Sequence, residues 1–245
     1  MTKTSKVAGQ SPISPVATRE RLIFPLDVPT HEEALELVDE LGPAVIFHKV
    51  GLQLFLAGDH TRLVDELLSR DKKVFIDLKL FDIPATVGKA VAQVAKLGAH
   101  FITVHGNDGM LRAAVAHKGP KLQVLAVTAL TSLDRGDLDD LGFDCDVEEL
   151  VLSRARRALE IGCDGVVSSG LEVKRIKEEA GDKILAVTPG IRPVQNDDDQ
   201  KRVVTPTQAI QDGSDYLVVG RPIREARDPR AAAEAVQQEI AEALA

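Results

Sequence analysis

From Leu22 onward, short apolar runs rich in β-branched residues alternate with longer stretches whose apolar positions recur at helical spacing. The short runs predict strands over 22–27, 44–50, 73–79, 100–105, 121–128, 164–168, 184–188 and 215–219. The helical stretches between them include His31–Leu41 behind a Thr30 cap, 85–97, and Val147–Ile161. About eight strands separated by helices is the number that closes a parallel (β/α)8 TIM barrel. No break in composition divides the chain, so the expectation is a single α/β barrel domain over 21–245. The preceding 1–20, a mixture of Lys, Ser, Thr, Pro and Gly, reads as a disordered leader.

The strand ends say more than the strand middles. Alternate side chains of a strand share a face, so Phe75, Asp77 and Lys79 point one way and Val74, Ile76 and Leu78 the other. The all-apolar set belongs under the helices. Asp77 and Lys79 then point into the barrel near its C-terminal mouth, where active sites of this architecture lie. The same count puts Asp27 at the end of the first strand, with Pro25 inward before it, and Lys49 at the end of the second, after Phe47. Two carboxylates and two ammonium groups at one mouth are tolerable only as an alternating, hydrogen-bonded array. Such an array is either an ionic layer that closes the barrel or a reaction centre. Proline gives no N–H to a sheet ladder, so Pro25 predicts a bulge that leaves Asp27 the least firmly placed of the four.

Composition narrows the classes of function. With 30 basic against 38 acidic residues and a net charge of -8, a nucleic-acid or anionic-membrane surface would need a local basic cluster, and the sequence has none. No apolar run reaches membrane length, and Met1 to Glu20 lacks the apolar stretch of a secretory signal, so the expectation is a soluble, cytoplasmic protein. Cys145 and Cys163 have no metal-ligand spacing, which fits a reducing compartment and argues for no bound metal. His48, facing the helices, and His105, ending the fourth strand, read as structural.

Anion-binding features follow the last two strands, a common place for phosphate sites in barrels. Arg192 comes after Gly190 in a long loop that also carries Gln200, and Arg221 comes after Gly220 just before Pro222, a good first residue for a helix with free amides. The bland alternative is a pair of idle surface arginines. The acidic run Asp197–Asp199 in the same loop reads as solvating charge.

At Asp77-Leu78-Lys79-Leu80-Phe81-Asp82-Ile83-Pro84-Ala85-Thr86 the chain resembles the DxKxxD-IPxT signature of the orotidine 5′-phosphate decarboxylases. Leu26-Asp27, Lys49-Val50-Gly51, Leu130-Thr131-Ser132, Thr188-Pro189-Gly190-Ile191-Arg192-Pro193, Asp199-Gln200 and Gly220-Arg221-Pro222 are similar to that family's other blocks, in order. The resemblance implies conversion of orotidine monophosphate to UMP and CO2 without a cofactor. Lys79 would be the proton donor, Asp77 would face the substrate carboxylate and hold Lys79, and Asp27 and Lys49 would hold the ribose and complete the array. It further implies that Thr131 meets the pyrimidine edge and that Arg192, Gln200, Gly220 and Arg221 hold the phosphate. Asp82 and Thr86 would reach the neighbouring subunit's site in a homodimer, and Ile83 would contact the substrate. Two other readings stay open: a metal-dependent sugar-phosphate enzyme on the same scaffold, such as a keto-gulonate-phosphate decarboxylase or hexulose-phosphate synthase, and a non-catalytic dimer that binds nucleoside monophosphates. The first lacks the Ile83-Pro84…Thr86 and Thr131-Ser132 blocks; the second has no need of four converging charges.

Overall fold

The structure, a computed structural model, describes residues 15–192 and 203–245. Eight parallel strands form it: β1 (Leu22–Pro25), β2 (Phe47–Gly51), β3 (Lys73–Leu80), β4 (Phe101–His105), β5 (Gln123–Val127), β6 (Gly165–Val167), β7 (Leu185–Thr188) and β8 (Tyr216–Val218). They pair in sequence order and β8 returns to β1, closing a single-domain (β/α)8 barrel. Most strands are shorter than their apolar runs, because the terminal residues leave the ladder to enter loops. The helices His31–Leu41 and Val147–Ile161 have the bounds their periodicity predicts, each capped by a side chain, Thr30 on the N–H of Glu33 and Asp146 on that of Glu149. The helix expected over 85–97 is Pro84–Lys96, one residue earlier, since proline suits the first turn.

Apolar side chains divide between two layers. Val74 and Ile76 pack with Leu22, Phe24 and Val50 between barrel and helices, whereas Ile23, Phe47, Phe75, Phe101, Leu185, Tyr216 and Val218 fill the barrel interior. Phe101 is central to the inner layer, its ring 4.9 Å from Phe47 and 5.1 Å from Tyr216. These buried aromatics form an apolar floor beneath the C-terminal mouth.

Two details differ from the sequence reading. Within the stretch read as leader, Thr18–Glu20 form a 3-10 turn, Val16 packs against the inner core, and Glu20 pairs with Lys73. Arg21, next in the chain, donates to the carbonyls of Ser214 and Asp215. The bulge expected at Pro25 is absent, and Pro25 pairs with Lys49 in regular register. The irregularity sits on β3 instead, where the register with β4 shifts between Ile76 and Leu80 and Lys79 has a φ of 47°. Left-handed backbone is uncommon and strained for a lysine.

Candidate active site

A cavity of about 550 Å³ opens at the C-terminal mouth, lined by Pro25, Asp27, Lys49, Phe75, Asp77, Lys79, Thr131, Gly190, Arg192, Gly220, Arg221 and Arg224 among others. The four charges expected there are together and alternate in sign. Lys79 Nζ donates to both carboxylate oxygens of Asp77 at 2.9 Å. Lys49 Nζ lies 3.3 Å from Asp77 Oδ2 and 3.6 Å from Asp27 Oδ1. Gly51 makes room for the outer pair, since a Cβ there would come within 3.3 Å of the Lys49 ammonium.

Exposure grades along the array and sets its chemistry. The Asp77 side chain is 11% exposed and that of Lys49 13%, against 33% for Lys79 and 49% for Asp27. Burial alone would push the Asp77 carboxyl up. The charges of Lys49 and Lys79, with hydrogen bonds from Lys79 and Thr103, outweigh it and hold the group below the usual aspartate range. Asp77 is therefore an anion at neutral pH, fixed among cations on an apolar floor, while the more accessible Lys79 ammonium faces the cavity.

Thr103 is a part of the site that the sequence reading missed. Its hydroxyl donates to Asp77 Oδ1 at 2.8 Å and accepts the main-chain N–H of Lys79 at 2.9 Å. The ladder offers that N–H no regular partner where β3 shifts register, so a fully buried side chain of β4 replaces it. In sequence Thr103 is one polar residue in an apolar strand, and only its inward parity, shared with Phe101 and His105, marks it. His105 stands nearby, its imidazole held below the ordinary range by burial and by the charges of Arg154 and Lys79.

Arg192, Gly220 and Arg221 stand on the opposite side of the mouth, after β7 and β8. Backbone pairing of Ile191 with Val204 ties the two ends of the Arg192 loop, with Arg192 N donating to the Val204 carbonyl at 3.0 Å. Gln200 and Asp197–Asp199 lie outside the described residues. The helix after Gly220, Arg221–Arg224, is a single turn. Its dipole is correspondingly small.

Asp82, Ile83 and Thr86 do not line the cavity of their own chain. Asp82 accepts the N–H of Ile83 at 2.6 Å at the start of the helix Pro84–Lys96. The apolar side chains on either side of Asp82, Phe81 at 65% and Ile83 at 66%, face outward. Among the described residues, no group of three or more His, Cys, Asp or Glu is disposed to hold a metal, and no helix is long and apolar enough to cross a membrane.

A (β/α)8 barrel whose mouth holds an alternating Asp-Lys-Asp-Lys array, opposite arginines on the last two strand ends, is the architecture of a barrel enzyme with a charged site at its C-terminal mouth. The model of the Orotidine 5'-phosphate decarboxylase / HUMPS family matches residues 20–236, and the chain belongs to that family. It is 59% identical over 233 residues to an orotidine 5'-phosphate decarboxylase of Methylococcus capsulatus, covering 94% of this chain and 96% of that one. A second relative of the same description, from Nitrobacter winogradskyi, is 49% identical over 228 residues, covering 92% and 95%. The crystal structure of the orotidine 5'-phosphate decarboxylase from Lactobacillus acidophilus superposes with a TM-score of 0.80 at 38% identity, over 90% of this chain and 99% of that one.

Proposed function

We propose that this chain is a cytoplasmic orotidine 5′-phosphate decarboxylase that forms UMP and CO2 in de novo pyrimidine biosynthesis with neither metal nor organic cofactor. The observation that carries the proposal is the Lys79 ammonium, gripped by both oxygens of a buried, ionised Asp77 and aimed into a cavity with arginines on its far side.

Loss of CO2 breaks the bond from C6 of the pyrimidine to the carboxyl carbon and leaves the electron pair on C6. The ring delocalises that pair poorly, so the site itself must stabilise the charge. Lys79 supplies a positive charge beside C6 and then its proton, and neutral Lys79 regains a proton from water. Asp77 keeps the lysine charged and oriented, and it meets the substrate carboxylate as a like charge that disappears when CO2 departs. Asp27 and Lys49 hold the ribose, Thr131 the pyrimidine edge, and Arg192, Gln200, Gly220 and Arg221 the phosphate. The exposed Phe81 and Ile83 around Asp82 support a homodimer in which Asp82, Ile83 and Thr86 complete the partner's site.

The family name also covers sugar-phosphate enzymes, and one assay separates the two. Orotidine monophosphate is followed by its ultraviolet absorbance in excess chelator. Full turnover supports the proposal; no turnover, with magnesium-dependent activity on a keto-sugar phosphate, would overturn it.

A further inference from the structure

The Asp27 carboxylate is two residues beyond the end of β1 and half exposed, and yet it must be held in place to hold a ribose. On the β8 side the ladder cannot hold it. Val219 N donates to the Ile23 carbonyl at 3.0 Å, and the next donor from β1 would be the nitrogen of Pro25, which carries no hydrogen. Two contacts close the seam instead. Gly220 lies so close to the proline ring that a Cβ on it would stand 2.8 Å from Pro25 Cγ. Arg224 Nη1 then reaches across to the main-chain carbonyl of Asp27 at 2.8 Å. Glu225 takes the other end of the fork, Nη2, at 3.1 Å, and Arg224 N donates to the Gly220 carbonyl at 3.0 Å, which ties the backbone of Arg224 to the same turn.

We propose that Arg224 is a positioning residue, replacing the rung that Pro25 forfeits and thereby locking Asp27 to the turn that carries Gly220 and Arg221. The inference rests on the reading of Asp27 as the ribose carboxylate. Arg224 also lines the cavity, and its charge invites the alternative that it binds the substrate phosphate directly. The two roles differ in what they couple to. A residue acting through Asp27 matters equally with and without phosphate on the substrate, and ceases to matter once the Asp27 carboxylate is gone.

The test uses the full-length enzyme with Arg224→Ala, Arg224→Gln, Asp27→Ala and the Arg224→Ala/Asp27→Ala double variant, assayed on orotidine monophosphate and on the phosphate-free nucleoside. Arg224→Ala is expected to lower kcat/KM about tenfold, the effect of one charge-assisted hydrogen bond, and by a similar factor on both substrates. Arg224→Gln, which keeps a donor and loses the charge, should recover much of that loss, and the double variant should be little worse than Asp27→Ala. A loss confined to the phosphorylated substrate, or one fully additive with Asp27→Ala, would overturn the positioning role. So would an Arg224→Ala enzyme with wild-type kinetics. Wild-type turnover of orotidine monophosphate is measured in parallel, so failure of the broader reading is seen separately.

Discussion

The hydroxyl of Thr103 accepts the main-chain N–H of Lys79 at 2.9 Å, at the left-handed step that β3 takes at the mouth of the barrel. The same oxygen donates to Asp77, so one buried side chain sets both the backbone of the lysine and the orientation of its carboxylate partner.

Thr103→Val keeps the volume and removes both bonds. A buried N–H without a partner costs about 1–3 kcal/mol, so the melting temperature should fall and kcat for orotidine monophosphate should drop roughly 10- to 100-fold with a smaller change in KM. Thr103→Ser should retain most of the rate. A valine enzyme with wild-type kcat would mean that the left-handed step is held by the strand alone.

His48 gives the fold a dependence on pH that is separate from catalysis. It is fully buried against Phe24, neither ring nitrogen meets a hydrogen-bond partner in good geometry among the described residues, and its pKa is lowered from 6.5 to about 3. Burial is the main cause and the Lys72 charge adds to it; the Val45 backbone forms no well-made hydrogen bond to the ring and offsets them only in part. The unfolded chain therefore binds the His48 proton first. The stability tied to the neutral ring is complete above about pH 6.5 and falls as pH drops toward 3, by on the order of 5 kcal/mol at about 1.4 kcal/mol per unit. Urea unfolding at pH 7 and pH 5 should show a steeper decline for wild type than for His48→Leu. Parallel curves for the two proteins would contradict it.

A shared active site predicts complementation. Lys79→Ala and Asp82→Ala should each be inactive, yet a mixture allowed to exchange subunits should regain activity, because one site of a mixed dimer combines Lys79 of one chain with Asp82 of the other. The check is turnover of orotidine monophosphate against a control for exchange, and no recovery after proven exchange would place Asp82 outside the partner's site.

Much of the fold was legible because each strand is an apolar run flanked by polar turns and each helix repeats its apolar face. Phe75, Asp77 and Lys79 were assigned to the inner face by alternation alone. That count reached the correct face for Lys79 although the strand is irregular there, since a shift of register against a neighbour and a left-handed residue leave no periodic trace. Pro25 misled in the opposite sense. Its missing N–H is a real defect in the ladder, but the compensation comes from Arg224, 197 residues away, which no local pattern reveals. Thr103 stayed hidden for the same reason: it is remote in sequence from the residues it serves. The segment around Val16 is composed like a leader, and its contacts, Val16 with the inner core and Glu20 with Lys73, are remote in sequence.

The most direct test of the central claim is the rate of orotidine monophosphate loss by Lys79→Ala, measured beside UMP binding to the same protein. The variant loses the proton donor and the charge beside C6 while keeping the arginines, so turnover should fall at least about 10⁴-fold with UMP binding within roughly tenfold of wild type. Turnover near the wild-type rate, in a protein that still folds and binds UMP, would contradict the account.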